Sequence, residues 1–206
     1  MIRKILINQG LKTKLFIVAL LLSFNFSYAE TEKQNASAQK ASLNKASLNK
    51  EYQAKALFLY NFANFVSWPD DAFSSDKEAI HMCLFGEIPF GTILDDVDGT
   101  MIGDRALKIT RTNTIKDISK GCQILFVGDE RRALLPEFWK QIKYIYVLSV
   151  GEQKGFTDNG GVINILRTTD KMKFDINISN AIANGLFISS DLLALAREIR
   201  RNTENK

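Results

Sequence analysis

From Ile80 onward the apolar positions fall in short runs separated by turns rich in Gly, Asp and Asn. Such runs are too short for buried helices and fit strands covered on both faces. They predict strands at Ile80 to Phe85, Ala106 to Thr110, Gln123 to Val127 and Tyr144 to Val150, then a pair at Val162 to Leu166 and Lys173 to Ile178 with Asp170-Lys171 as its hairpin turn. Helical spacing fills the intervals. Leu57, Tyr60 or Asn61, Asn64 or Phe65, and Trp68 recur three to four apart, so Glu51 to Trp68 reads as a helix that Pro69 ends. Phe90 to Val97, Leu134 to Lys140, Asn180 to Asn184 and Asp191 to Arg201 also read as helical, with a short turn at Ile115 to Ser119. Ser189 or Ser190 is placed to cap the last helix. Alternation of this kind implies an α/β fold: one domain with a mostly parallel sheet, helices on both faces, and an antiparallel edge from the final strand pair.

The first helix is unusually aromatic, with Tyr52, Phe58, Tyr60, Phe62, Phe65 and Trp68. One stripe cannot bury six rings. Two readings stay open: a helix buried on two sides, or an exposed partner face.

The stretch before Glu51 has a different character. Arg3, Lys4, Lys12 and Lys14 precede an apolar run from Leu15 to Leu22, and Ser27-Tyr28-Ala29 resembles a small-x-small cleavage site. Residues 1–29 therefore read as a secretory signal peptide. The apolar run is shorter than the ~20 residues a membrane-spanning helix needs. Removing the four basic residues of this segment from the 27 Lys and Arg of the chain leaves 23, against 23 Asp and Glu. The basic pI thus belongs to the signal, and the mature chain offers no argument for nucleic-acid binding. Residues 30–50 are polar and repetitive, with Ala-Ser-Leu-Asn-Lys at 41–45 and again at 46–50. They read as a flexible tether whose Ala, Leu and Lys also allow it to extend the next helix. Residues 51–206 form the domain.

Candidate chemistry is sparse. Gly86-Glu87-Ile88-Pro89-Phe90-Gly91-Thr92 follows a strand as a phosphate-binding loop does, but Thr92 stands where such a loop places its Lys, and Glu87 brings negative charge to the anion position. A strand-to-helix turn is the better reading. His81 is the single histidine and lies in an apolar strand, which favours a sheet-face role over a ligand. Asp95, Asp96 and Asp98 lack the alternating spacing of a calcium loop. Asp158-Asn159-Gly160-Gly161 is turn chemistry. No catalytic, metal-binding or cofactor-binding residue is assigned, and an enzyme is not expected. Cys83 and Cys122 are the two cysteines; an even count in an exported chain points to a disulfide, and two buried free thiols are the alternative.

Several stretches together carry a family resemblance. They are Ala54 to Ala63 with Phe65 and Trp68-Pro69, Cys83 to Gly86 with Pro89-Phe90-Gly91, Cys122 to Val127, and above all Ser149 to Ile199. In the last, Ser149-Val-Gly-Glu, Gly155-Phe156, Asn159-Gly160-Gly161-Val162-Ile163-Asn164, Lys173-Phe174-Asp175-Ile176-Asn177 and Gly185-Leu186-Phe187-Ile188-Ser189-Ser190 follow in order. The chain resembles the YfiR-like family of periplasmic regulators from about Glu51 to Arg200. That resemblance implies a non-enzymatic periplasmic α/β protein that dimerises. It would bind the sensor region of an inner-membrane diguanylate cyclase and hold it inactive, limiting cyclic di-GMP and biofilm. It also implies an outer-membrane lipoprotein that relieves the inhibition, or a sensor kinase as the membrane partner. Cys83 and Cys122 match one of the family's cysteine pairs, and the second pair is missing between Ser149 and Ile165. A structural bond and a redox switch both remain open. A different class of function, a periplasmic small-ligand-binding module feeding a sensor kinase or transporter, is the alternative, with its ligand in the crevice at the strand ends.

Overall fold

The computed structural model describes residues 39–86, 88, 90–128, 138–140, 146–168 and 171–202. The signal peptide and the first part of the tether lie outside the described residues, as do Glu87, Pro89, Leu134 to Glu137, Tyr144, Ile145 and Asp170. The chain divides into two units, 1–50 and 51–206. In the first, residues 39–50 are helical and exposed throughout.

The second unit is α/β. It opens with α1, residues 51–64. Ten strands follow among the described residues: β1 (Val66–Ser67), β2 (Ile80–Phe85), β3 (Met101–Ile102), β4 (Arg105–Thr112), β5 (Ile124–Val127), β6 (Leu148–Gly151), β7 (Ile163–Arg167), β8 (Met172–Asn177), β9 (Phe187–Ile188) and β10 (Glu198–Arg200). Helices α2 (Ile115–Ile118), α3 (Ile178–Ala183) and α4 (Ser190–Leu195) lie between them, and residues 138–140 are helical. Eight strands form one sheet in the order β10-β8-β7-β6-β5-β2-β4-β3, while β1 and β9 pair separately. The pairs β10–β8, β7–β6, β6–β5, β5–β2 and β2–β4 are parallel; β8–β7 and β4–β3 are antiparallel. The mostly parallel α/β architecture expected from the sequence is the one observed.

The two-residue period of the strands builds two cores. Ile80, Met82 and Leu84 of β2, Ile124 and Phe126 of β5, and Leu148 and Val150 of β6 face the first, with Ile163, Ile165, Phe174 and Ile176. α1 covers this face through Tyr52, Ala56, Leu59, Phe62 and Ala63. Cys83 and Phe85 of β2, with Leu125 and Val127 of β5, face the second core, closed by Ile118 of α2, Phe138 and Phe156. Helical residues thus flank the sheet on both faces. The aromatics of α1 go inward, and of the six expected rings none is exposed. Phe62 stacks on Phe58 at 5.7 Å and meets Phe174 edge-on at 5.0 Å. Tyr52 meets Phe90 at 5.1 Å.

Several boundaries differ from the pattern. α1 stops at 64, not Trp68, because Val66 and Ser67 pair with Ile188 and Phe187, and Ser189 N donates to Phe65 O. Phe90 to Val97 is not a helix: residues 90–94 are a turn, and only Asp95–Val97 is a 3-10 helix. Gly91 adopts φ +54° in that turn. The expected helix from Asp191 to Arg201 ends at Leu195. Its cap is Ser189, whose side chain accepts from Leu192 N. Ala196 is extended, and Glu198 to Arg200 join the sheet beside Asp175 to Asn177. The antiparallel partner of β7 therefore lies one strand inside the edge. The strand expected from Tyr144 begins at Leu148, after Tyr146 with φ +57°. Thr168 and Lys171 close the β7–β8 connection through backbone and hydroxyl bonds.

Phe62→Ala should cost ~3–5 kcal/mol, the range for emptying a buried ring site. Leu57→Ala, on the exposed side of α1, should stay within ~0.5 kcal/mol. Urea denaturation of the two variants checks the assignment of faces.

Candidate functional site

Cys83 and Cys122 are joined in a disulfide with Cα atoms 5.8 Å apart. Both are buried. Cys83 lies within β2, and Cys122 precedes β5, the strand parallel to it. The turn that delivers Cys122 is pinned by one carboxylate. Asp117 accepts hydrogen bonds from Thr114 Oγ1 at 2.5 Å, Thr112 Oγ1 at 3.0 Å and Lys120 Nζ at 3.1 Å. These bonds, led by that from Thr114, hold its carboxyl down to about 2.

The Ser149 to Ile199 run forms the far half of the sheet and its second face. There the side chains change from apolar to polar: Ser149, Asn164, Asp175 and Asn177 are all buried. Gly151, Asn164 and Asp175 lie side by side across β6, β7 and β8. Each polar group in such a place needs a partner. Ser149 Oγ accepts from Val162 N at 3.0 Å. Arg197 holds the Asp175 carboxylate with Nε, at 2.7 Å, and with Nη2. Asn177 Nδ2 donates to Thr157 O and to Asn202 Oδ1. Asn180 Nδ2 donates to Thr157 O and Gly161 O. Arg200 pairs with Asp158 and Glu198.

The loop over this face closes on Phe156. A Cβ on Gly151 would come within 2.5 Å of its ring, and one on Gly161 within 2.2 Å. Glycine is required at both because the ring occupies the space. Turn chemistry alone does not explain Gly160-Gly161: Gly160 also lies against the Trp139 ring, where a Cβ would sit at 2.9 Å.

A second charged group ties α1 to the sheet. Lys55 is buried, with Nζ 2.6 Å from Glu51, paired to Glu152, and 4.3 Å from the Tyr52 ring centre. Burial opposes its charge, but the bonds to Glu152 and Glu51 outweigh that and raise its pKa above the ordinary value. Arg167 reaches Glu51 at 2.5 Å.

The remaining sequence candidates do not converge. His81 is half-buried on β2, and its backbone N–H donates to Gln123 Oε1. Asp95 pairs with Arg111, and Asp98 with Lys108 and the Ile109 N–H, tying the 95–98 turn to β4. A cleft of about 470 Å³ lies by Trp68, Phe73, Ile80, Ile102, Asp104 and Arg105. This is the end where β2 and β4 begin, opposite the crevice expected for a ligand. Trp68 Nε1 donates to Tyr146 O, and Arg105 lies over the Phe73 ring and donates to Ser75 O and Glu78 O.

Exposed large apolar side chains concentrate elsewhere. Of six in the described part of residues 51–206, four come from α3 to β10: Ile182, Phe187, Leu195 and Ile199. Phe187 is 72% exposed. Nothing in the sequence marks their exposure: Ile182, Leu195 and Ile199 read as helical, and Phe187 falls in no expected element.

A model of the YfiR/HmsC-like family matches residues 52–197. No curated protein matches the chain. Among solved structures it is similar to the ABC domain from Streptococcus pneumonia, crystallised in complex with L-Trp, at 9% identity and TM-score 0.44, covering 60% of this chain and 55% of that one. It is also similar to a conserved domain protein from Vibrio cholerae O1 biovar eltor, at 8% identity and TM-score 0.45, covering 59% and 55%. The chain spans about half the length of each of these two structures.

Thiol titration of the denatured, unreduced chain should find no free thiol, and the Cys83→Ala/Cys122→Ala double variant should lose ~4 kcal/mol in urea. Two titratable thiols would remove the bridge. The depressed Asp117 carboxyl contributes stability above its unfolded value near 3.8, and the contribution is lost as pH falls through about 2. Carboxyl NMR should place its midpoint near 2, and Thr114→Ala should move it upward.

Proposed function

Because the chain belongs to the YfiR/HmsC-like family, we propose that it is a periplasmic regulator of diguanylate cyclase signalling. The family match over 52–197 carries this reading, since it spans nearly the whole α/β unit. In this role the protein is not an enzyme. It binds the periplasmic sensor region of an inner-membrane diguanylate cyclase, holds the cyclase inactive, and so limits cyclic di-GMP and biofilm. Residues 1–29 direct export and are removed, residues 30–50 act as a tether, and the chain works as a homodimer. An outer-membrane lipoprotein that captures it relieves the inhibition.

The contact is a protein surface, and the exposed apolar side chains of α3 to β10 are its best-supported location. Of these Phe187 is the aromatic one, the type of side chain that anchors protein interfaces when it fills a partner's pocket. The Cys83–Cys122 bond fastens β2 to the start of β5. We assign it a structural role, holding the scaffold that presents the surface.

Deleting the gene should raise cyclic di-GMP and biofilm. The tagged mature chain should co-purify with a diguanylate cyclase from membranes, and a Phe187→Ser/Leu195→Ser variant should keep its circular dichroism while losing the cyclase. Unchanged cyclic di-GMP together with no captured cyclase would sink the proposal. A large thermal shift with a single metabolite, in that case, would support the small-ligand-binding alternative.

A further inference from the structure

Two Asn-Gly dipeptides occur in the chain, Asn159-Gly160 and Asn184-Gly185. Such a pair is chemically fragile. With no Cβ on the glycine, its backbone nitrogen can approach the asparagine side-chain carbon. The approach needs that nitrogen free of a structural hydrogen bond and the segment open to solvent.

The fold treats the two pairs differently. Asn184 is half-buried at the end of α3. Gly185 N is engaged there, donating to Ile182 O at 2.9 Å. Ring packing does not separate the pairs, since Gly185 lies against Tyr146 and Gly160 against Trp139. Asn159 is exposed. Gly160 N makes no hydrogen bond among the described residues, although Asn159 N and Gly161 N on either side both bond to Phe156 O. The asparagine amides themselves do not separate the cases, since each donates four residues back: Asn159 to Gly155 O at 2.7 Å, Asn184 to Asn180 O at 3.0 Å. The difference lies in the nucleophile.

We propose that Asn159 is a site of spontaneous deamidation in the folded protein and that Asn184 is protected. Gly160 N forms a bond to Asn159 Cγ as the Cγ–Nδ2 bond breaks. The amide leaves as ammonia, taking up the proton that Gly160 N gives away. Water then opens the cyclic imide at one carbonyl or the other, leaving aspartate or isoaspartate. No enzyme, cofactor or oxidant enters the balance. Either product sets a carboxylate beside Asp158, the partner of Arg200 in β10. Isoaspartate also routes the main chain through Cβ, lengthening a loop whose glycines lie against Trp139 and Phe156. The modification therefore falls on the loop that covers the second face of the sheet.

The test is timed incubation of the folded mature chain in mildly alkaline buffer, followed by trypsin and tandem mass spectrometry. Cleavage after Lys154 and Arg167 isolates residues 155–167, and cleavage after Lys173 and Arg197 isolates residues 174–197. A parallel incubation in urea exposes both sites equally. The expected result is amide loss at Asn159 but not at Asn184 in the folded chain, at both in urea, and no site-159 product in Asn159→Gln. Asn184 keeping pace with Asn159 in the folded chain would overturn the proposal. So would an Asn159 that converts in urea and stays intact when folded.

Discussion

β2, β5 and β6 have almost no wet surface: apart from the half-buried His81, every residue of the three strands is buried. A parallel sheet in this position must be covered on both faces. The rest of the domain follows from how that cover is supplied. On the first face one long helix does most of it, joined by Phe90, Leu94, Ala181, Leu186 and Leu192. α1 lays five core residues across the sheet, and its aromatic side chains fill the volume that a single aliphatic stripe would leave. On the second face no helix of comparable length is described. The cover there is assembled from α2, residue 138, the disulfide and a loop folded around Phe156.

That patchwork explains where the demanding residues sit. Short pieces bury little apolar area each, so position is held by other means. The disulfide fixes the entry to β5, Asp117 fixes the turn leading to Cys122, and Phe156 is seated on two glycines. Toward β8 the same face becomes polar. Burying Asp175 is unfavourable without a partner, and Arg197 supplies a two-point one. A pair of this kind contributes little net stability against an apolar alternative. Its effect is on register: β10 buries none of its side chains, yet Arg197 before it places it on β8, and Arg200 within it ties it to Asp158 of the covering loop.

Legibility from sequence divides along this line. β2 and β5 are readable because burial on both faces leaves an apolar run, broken only by His81, whereas β7 and β8 show as apolar residues alternating with Asn164, Asp175 and Asn177. α1 was readable through its spacing and Pro69. The errors fall where tertiary pairing overrides local pattern. Val66-Ser67 continues a helical rhythm but is drawn into a strand by Phe187-Ile188. Glu198-Ile199-Arg200 follows a leucine-rich helix, and nothing local announces that Asp175 will capture Arg197. β3 is two residues long and exists only as a hairpin against β4. The cysteines were visible as a pair, whereas the buried charge of Lys55 was not, because a lysine between alanines on a helix reads as solvated.

A sheet covered on both faces has no open surface of its own to offer a partner. What can be offered is the cover, the edges and the loops. α1 turns its aromatics inward and leaves Leu57 as its one large exposed apolar side chain, so the first cover is occupied with the core. The segment from α3 to β10 differs. It contributes Ala181, Leu186 and Leu192 to the core while holding Ile182, Phe187, Leu195 and Ile199 outward. Its backbone is fixed at several points: Asn177 and Ser189 cap its helices, β9 pairs with β1, and β10 pairs with β8. Apolar side chains held outward on a fixed backbone lose little conformational entropy on association. The polar network under the Ser149 to Ile199 run adds to this, because Arg197 bound to Asp175, and Asn202 bound to Asn177 and Asn180, hold the far end of the segment in place.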